Sequence, residues 1–259
     1  MPPIIQSSVS SPEILIAVQN QSTMYSDDKA QTCIAALQMQ VTRDFNPLWG
    51  INSTLFFIPK GTPVPDGYWL LTFFDNADQA NALGYHDIQA NLLPLGKIFV
   101  AADIAAGVSP ESTASHEHLE MLGDSEINLN VETTNPQGGR RLVAYENSDA
   151  PESDQFGYDI TVGQGLGAVK VRVSDFCTKA WFSPQAPAGA KFDFMGHITS
   201  AFQLLPGGYA NVDDGNGWTQ IFGEKPADPM AQYRMIAPIG SRRERRRRGR
   251  SQWIRSVPR

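Results

Sequence analysis

Short apolar runs bounded by polar or turn-forming residues predict several strands in the first half of the chain. Residues 14–18 form one such run, and residues 54–58 and 68–74 form two more, separated by the turn-rich sequence KGTPVPDG. Residues 83–86 and 97–101 predict two further short strands. The pattern therefore predicts a β-sheet formed by strands from the first half of the chain.

Helical spacing of apolar residues follows the first predicted strand. Asp27 or Asp28 is the expected N-cap, and Pro47 is expected to end the segment. Between them, apolar residues recur three to four positions apart, at Ile34, Leu37, Val41 and Phe45. We expect an amphipathic helix that extends to about Arg43.

A second helix is predicted over residues 110–122 from its end signals. Ser109 is the expected N-cap, Pro110 suits the first helical position, Glu111 lies in the first turn, and Gly123 follows the last turn. Beyond residue 125, Gly, Asn, Asp and Pro become frequent and helical periodicity ends. Short strands are predicted there at residues 142–145, 158–162 and 169–173, with little regular structure from 178 to 240.

These elements predict an α+β fold with a mixed sheet, two main helices and a loop-rich second half. Residues 13–240 are expected to form one domain, in which the second half packs on the first, between a flexible Pro/Ser-rich arm at 1–12 and a tail at 241–259. The 259 residues are 41% hydrophobic and 19% charged, which is typical of globular proteins. Cys33 and Cys177 are far apart and unpatterned, so two reduced thiols are favoured over one disulfide.

No apolar run approaches the roughly 18–20 residues of a membrane span, and no basic segment followed by an apolar one predicts a signal peptide. Charge is unevenly distributed. From Arg242 to Arg259 there are nine Arg and one Glu, or +8, whereas the remaining 12 basic and 26 acidic residues give −14. Such a basic block predicts an interaction tail, either for nucleic acid or for the acidic body of a neighbouring subunit. A solvated tail without a partner is the alternative.

The predicted second helix carries the sequence His116-Glu117-His118-Leu119-Glu120. Residues four apart lie on one face of a helix, so His116 and Glu120 could bind one metal ion. Glu117 could then reach a water molecule at that ion, as the general base does in H-E-x-x-H sites. His118 should point to another face. The alternative interpretation is a surface helix that happens to be rich in Glu and His.

A three-ligand site needs one more residue from elsewhere in the chain. Glu146 follows a short apolar run and could complete a zinc site with His116 and Glu120, because carboxylate oxygen is a zinc ligand. Asp149 could orient a ligand or replace one. Mn²⁺ and Ca²⁺ also accept oxygen ligands, which leaves the metal open between Zn²⁺, Mn²⁺ and Ca²⁺.

Several motifs give the chain a resemblance to a known group of proteins. The sequences SHEHLEMLGD (115–124), YENSDAPE (145–152), FGYDI (156–160) and VSDF (173–176) are similar to a family of uncharacterised phage and bacterial proteins. That family resembles the zincin metallopeptidases, with Glu in place of the second His of the motif. The order of strand, helix, strands, edge strand and metal-binding helix also resembles the zincin fold.

The resemblance implies His116, Glu120 and Glu146 as metal ligands and Glu117 as base, with Asp149 beside them. It also implies that an edge strand near residues 83–86 binds an extended peptide, with His86 beside the cleft. Alternatively, His86 only caps a strand end, and we expect a structural role for His197. Two carboxylates and one His make the ligand set neutral around Zn²⁺, which should weaken the activation of water.

Two functions follow as expectations. The first is a zinc-dependent peptidase-like hydrolase that acts on peptides or proteins. The second is a structural component of a phage particle that retains a degenerate metallopeptidase scaffold and forms homo-oligomers or particles. Its basic tail would contact neighbouring subunits or nucleic acid. In either case the expected location is the host cytoplasm or the virion, without a membrane partner.

Overall fold

A five-stranded mixed sheet organises the first half of the chain. The computed structural model describes residues 13–79 and 82–224, so the predicted arm, the basic tail and residues 225–240 lie outside the described part. The strands are β1 (Ile14–Asn20), β2 (Ser53–Ile58), β3 (Trp69–Phe74), β4 (Gly84–Ile88) and β5 (Pro94–Phe99). Their order is β2-β1-β3-β5-β4, and the pairs are parallel except that β4 runs antiparallel to β5.

The first helix, α1 (Asp27–Met39), begins as the apolar spacing predicts but has a different cap. The Oγ of Ser26 accepts a hydrogen bond from the Lys29 amide, so Ser26 is the N-cap and the expectation of Asp27 or Asp28 was wrong. The chain then continues through a π-helical turn (Gln40–Phe45) into α2 (Asn46–Trp49). Pro47 lies in the first turn of α2, where its missing N–H is tolerated, and therefore does not end the helical segment.

Two helices follow β5. The predicted strand at 97–101 ends at Phe99, because α3 (Val100–Ala106) begins immediately afterwards and Gly107 ends it with a left-handed φ of 68°. Helix α4 (Pro110–Gly123) agrees with the predicted helix and includes Gly123. Every residue of α4 from 112 to 122 is buried, which contradicts the alternative interpretation of a surface helix.

The second half contains two small antiparallel sheets, which completes the α+β class. One has the order β11-β10-β7-β6, and the other pairs β8 with β9. The predicted strands at 158–162 and 169–173 are β8 (Tyr158–Val162) and β9 (Val169–Val173). The others are β6 (Asn130–Thr134), β7 (Arg140–Ala144), β10 (Tyr209–Asp213) and β11 (Trp218–Phe222), of which β6, β10 and β11 were not predicted.

Both halves share one hydrophobic core, which includes Ile16, Leu71, Phe45, Phe176 and Trp181. Polar contacts also cross between the halves. The Trp49 indole donates to the Cys177 carbonyl at 3.0 Å, and the Gln40 amide donates to the Ser174 carbonyl at 2.9 Å. Cys33 and Cys177 are buried free thiols. Of the helices that the structure describes, none is long and apolar enough to span a membrane.

Candidate metal centre

Helix α4 places three ionisable side chains of the predicted motif in one buried region. The His116 Nε2 lies 3.3 Å from the Glu120 Oε1, as the spacing of four residues predicts. Glu120 is fully buried, while His116 and Glu117 are 6% and 4% exposed. His118 lies elsewhere, with its Nε2 2.9 Å from the Ser53 Oγ. Burial lowers the pKa of His118 to about 3, so it is a neutral core residue at neutral pH.

The helix can approach the sheet closely because glycine faces it. A Cβ atom on Gly84 of β4 would lie 2.7 Å from the Thr113 Cγ2 and 2.8 Å from the Lys97 carbonyl oxygen. A Cβ atom on Gly96 of β5 would lie 2.9 Å from the Met121 sulfur. The absence of these two side chains brings α4 against β4 and β5, and so brings His86 of β4 into the same region as Glu117 and Glu120.

A loop after β7 supplies two more carboxylates. Asn147 fixes this loop to α4, because its side-chain amide donates to the Leu119 carbonyl at 2.8 Å. Backbone hydrogen bonds from Tyr209 to Asp149 and from Cys177 to Asn147 hold its other side. The Asp149 Oδ1 thereby lies 3.4 Å from the His116 Nε2. Within the described residues, neither carboxylate oxygen of Asp149 accepts a hydrogen bond of good geometry, although the side chain is buried.

His86 lies among the carboxylates. Its Nδ1 is 3.1 Å from the Glu120 Oε2 and 3.4 Å from the Glu117 Oε2, and its Nε2 is 3.5 Å from the Glu146 Oε2. His86 is 1% exposed. The sequence resemblance placed it beside a substrate cleft, whereas here it contacts the side chains of the cluster itself.

Two groups of three potential ligands result, and Glu120 belongs to both. One is His116, Glu120 and Asp149, and the other is His86, Glu117 and Glu120; within each group the ligand atoms lie within 4.8 Å of one another. Zinc bonds of about 2.0–2.1 Å in a tetrahedron give ligand separations of about 3.3–3.4 Å. The His116 Nε2 has these separations, 3.3 Å and 3.4 Å, from Glu120 and Asp149. Asp149, which we expected to orient a ligand or replace one, is the loop carboxylate at this distance from His116, whereas Glu146 lies beside His86.

The buried charges alter one another's protonation. Burial by itself would lower the pKa of His116, but the carboxylates of Glu120 and Asp149 outweigh burial and raise it. Burial opposes ionisation of Glu120, yet the two imidazoles lower its pKa. Burial, followed by the charge of Glu120, raises the pKa of Asp149. A divalent cation here would replace protons on His116 and Asp149, as metal binding at protonated ligands does.

A pocket opens beside the cluster. Its wall includes His116 and Glu117 together with Leu83, Gly84 and Tyr209. Glu152 and Asp154 also line it, and no Lys or Arg does among the described residues. Neither Tyr209 nor Glu152 was selected from the sequence. Tyr209 lies in no motif, and Glu152, the last residue of the motif at 145–152, has no spacing that relates it to the helix.

Comparison with protein-family models, with curated proteins and with solved structures found no match to this chain. The zincin-like family therefore remains an expectation from the sequence motifs. The function has to be inferred from the geometry of the site.

Proposed function

We propose that this protein is a metal-dependent hydrolase of the peptidase type, with His116, Glu120 and Asp149 as ligands of a Zn²⁺ ion. The observation that supports this most strongly is the spacing of the three ligand atoms. They are buried and come from two separate segments, and the His116 Nε2 lies from each carboxylate at the separation of a tetrahedral zinc site. The three ligand atoms lie within 4.8 Å of one another. A bound Zn²⁺ would supply Lewis-acid activation of water and of a substrate carbonyl.

The remaining side chains have distinct roles in this proposal. Glu117 lines the pocket next to His116 and would take the proton of the attacking water. His86 contacts the second oxygen of Glu120 at 3.1 Å and would hold that carboxylate in its ligating orientation. Glu146 faces the other nitrogen of His86 at 3.5 Å and would orient the imidazole. Glu146 thus acts through His86 in this proposal and not as the third ligand.

The edge of the five-stranded sheet gives a place for an extended peptide. Within the described part of the chain, β4 is the last strand of its sheet and pairs only with β5. Leu83 and Gly84, at the start of β4, also line the pocket that His116 and Glu117 line. A peptide added along β4 would therefore carry its backbone past Glu117, which is the geometry of β-strand addition. An edge strand, β4, beside the helix that carries His116 and Glu117 also supports the proposal of a zincin-like layout.

The ligand set affects the expected pH dependence of activity. Two carboxylates and one neutral imidazole cancel the charge of Zn²⁺, whereas two imidazoles and one carboxylate leave +1. Less positive charge activates water less, so the reaction should be fastest above neutral pH.

The test compares hydrolysis of a panel of fluorogenic peptides by tag-free wild type and Glu117→Gln, each loaded with Zn²⁺ or Mn²⁺. We expect Glu117→Gln to lower kcat by about 10²- to 10⁴-fold, because it removes the general base, with no change in metal content. Glu126→Gln, an exposed glutamate beyond α4, is the matched control and should retain full activity. Equal activity of Glu117→Gln and wild type would refute the role of Glu117. Absence of hydrolysis across the panel with both metals would refute the enzyme and leave the particle component as the alternative.

A further inference from the structure

A second cluster of potential ligands lies in the second half of the chain, where Asp175, Asp193 and His197 meet. Asp175 and Asp193 are fully buried, whereas the His197 side chain is 39% exposed. The His197 Nδ1 is 3.7 Å from the Asp175 Oδ2 and 3.7 Å from the Asp193 Oδ2. All three ligand atoms lie within 4.8 Å of one another.

Backbone amides fix the orientation of both carboxylates. The Asp175 Oδ1 accepts from the amides of Phe176 and Met195, at 2.7 Å and 3.1 Å. Asp193 accepts from the amide of His197 at 2.7 Å through Oδ2 and from the amide of Ile198 at 3.1 Å through Oδ1. In the described part of the chain, the Asp175 Oδ2 accepts no hydrogen bond from an N–H or neutral O–H donor, although the residue is fully buried.

The separations fit a cation better than a hydrogen bond. An N–H···O hydrogen bond spans about 2.7–3.2 Å, so His197 at 3.7 Å makes one with neither carboxylate. Two ligands of a tetrahedral metal ion, bonded at about 2.1 Å, lie about 3.4 Å apart, which is about 0.3 Å less than these distances. The imidazole is equally far from the two carboxylates, so neither is preferred as its hydrogen-bond partner. Two buried carboxylates also need a positive charge or a proton beside them.

We propose that Asp175, Asp193 and His197 bind a second divalent metal ion of the Zn²⁺ or Mn²⁺ class, separate from the proposed catalytic ion. Imidazole nitrogen and carboxylate oxygen are suitable ligands for both metals. The ion would join the segment after β9 to the turn at 193–198. These segments already pair through Cys177 and Asp193.

The position gives this ion a structural role. The Cys177 amide donates to the Asn147 carbonyl at 2.7 Å, and Asn147 holds the loop of Glu146 and Asp149 against α4. An ion between Asp175 and Asp193 would therefore brace the segment that supports the first site. The competing state is a proton shared between the two carboxyl groups, because burial and then a hydrogen bond with Asp193 raise the pKa of Asp175 to about 8.

The experiment measures zinc content and zinc affinity of tag-free full-length protein, by elemental analysis and by competition with a colorimetric chelator. The two sites are separated by working in a His116→Ala background. We expect His116→Ala to retain about one zinc per chain with submicromolar affinity, and His116→Ala/His197→Ala to retain none. The His197 side chain is 39% exposed, so its replacement should leave the fold intact, which circular dichroism would check.

Two further variants make the outcome specific. Asp175→Asn keeps an acceptor for the backbone amides but loses the charge, and it should lower zinc affinity at least about 10-fold. Asp159→Asn, an exposed aspartate on β8, should have no effect. Equal zinc content of His116→Ala and its His197→Ala derivative, or binding only at millimolar zinc, would overturn the proposal and favour the shared proton. Neither result depends on hydrolytic activity.

Discussion

Replacing Glu120 by Gln tests the proposed catalytic metal site with little change in shape. Glu120 is fully buried, and its two oxygens lie 3.3 Å from the His116 Nε2 and 3.1 Å from the His86 Nδ1. Gln fills nearly the same volume, so it leaves no cavity. It removes one negative charge and one anionic ligand from the centre of the cluster, and the variant should therefore fold but bind Zn²⁺ poorly.

The expected magnitude follows from the linkage of binding to folding. At a zinc concentration of about 100 times its Kd, wild type gains about 2.7 kcal/mol of stability. Loss of a ligand should weaken binding at least as much as loss of an orienting residue, or about 100-fold. The variant would then gain about 0.4 kcal/mol at the same zinc concentration. A domain of this size changes Tm by about 2–4 °C per kcal/mol, so the zinc-induced shift should fall by about 5–9 °C.

Thermal unfolding of metal-free protein, followed by circular dichroism with and without zinc, measures this difference. The proposed second ion at His197 should contribute equally to wild type and variant, and so cancels. Glu126→Gln makes the same chemical change at an exposed position and should show the full wild-type shift. An equal zinc-induced shift in wild type and Glu120→Gln would mean that Glu120 is not a ligand.

Two further predictions concern the scaffold around the site. Gly84→Ala should lower the free energy of unfolding by about 1–3 kcal/mol in urea, since the added Cβ would lie 2.8 Å from the Lys97 carbonyl oxygen. Gly167→Ala, with open space around it, is the control. Equal stability of the two variants would contradict the close packing of α4 on β4. Asp75→Asn should reduce the acid sensitivity of folding: hydrogen bonds from Ser22 and Thr23 lower the pKa of Asp75 to about 2. The Asp75 carboxylate therefore stabilises the fold above about pH 4, and this stabilisation is lost as the pH falls toward 2. If the free energies of unfolding of wild type and Asp75→Asn fall in parallel through this pH range, Asp75 does not make this contribution.

Local patterns predicted the elements whose signals lie within a few residues. Helix α4 was recognised because Pro110 and Gly123 mark its ends, and β8 and β9 because apolar residues alternate there. The π-helical turn after α1 was missed because nothing in the sequence distinguishes it from the helix that precedes it. Helix α3 was missed because Val100 and Ala101 continue an apolar run that begins in β5.

In the site, too, contacts within one helix were predictable from the sequence, whereas contacts between distant segments were not. The spacing of His116 and Glu120 on one helix predicted their contact, because that contact is set within a single turn. The carboxylate that approaches His116 could not be chosen from the sequence, since Glu146 and Asp149 lie three residues apart in one loop. The anchoring of that loop by Asn147 decides which carboxylate faces His116. The partners of His197 depend on a turn that has no local signature.

The complete burial of α4 has a consequence for the order of events in folding. A helix that docks early usually has one apolar stripe and one polar face, whereas α4 buries polar side chains all around its axis. A 14-residue segment of this kind is marginally helical in isolation. Its final form therefore awaits both the five-stranded sheet and the segments that carry Asp149 and Ser174. We therefore expect His116 and Asp149 to meet only late in folding, so that the proposed metal site does not exist in a partly folded chain.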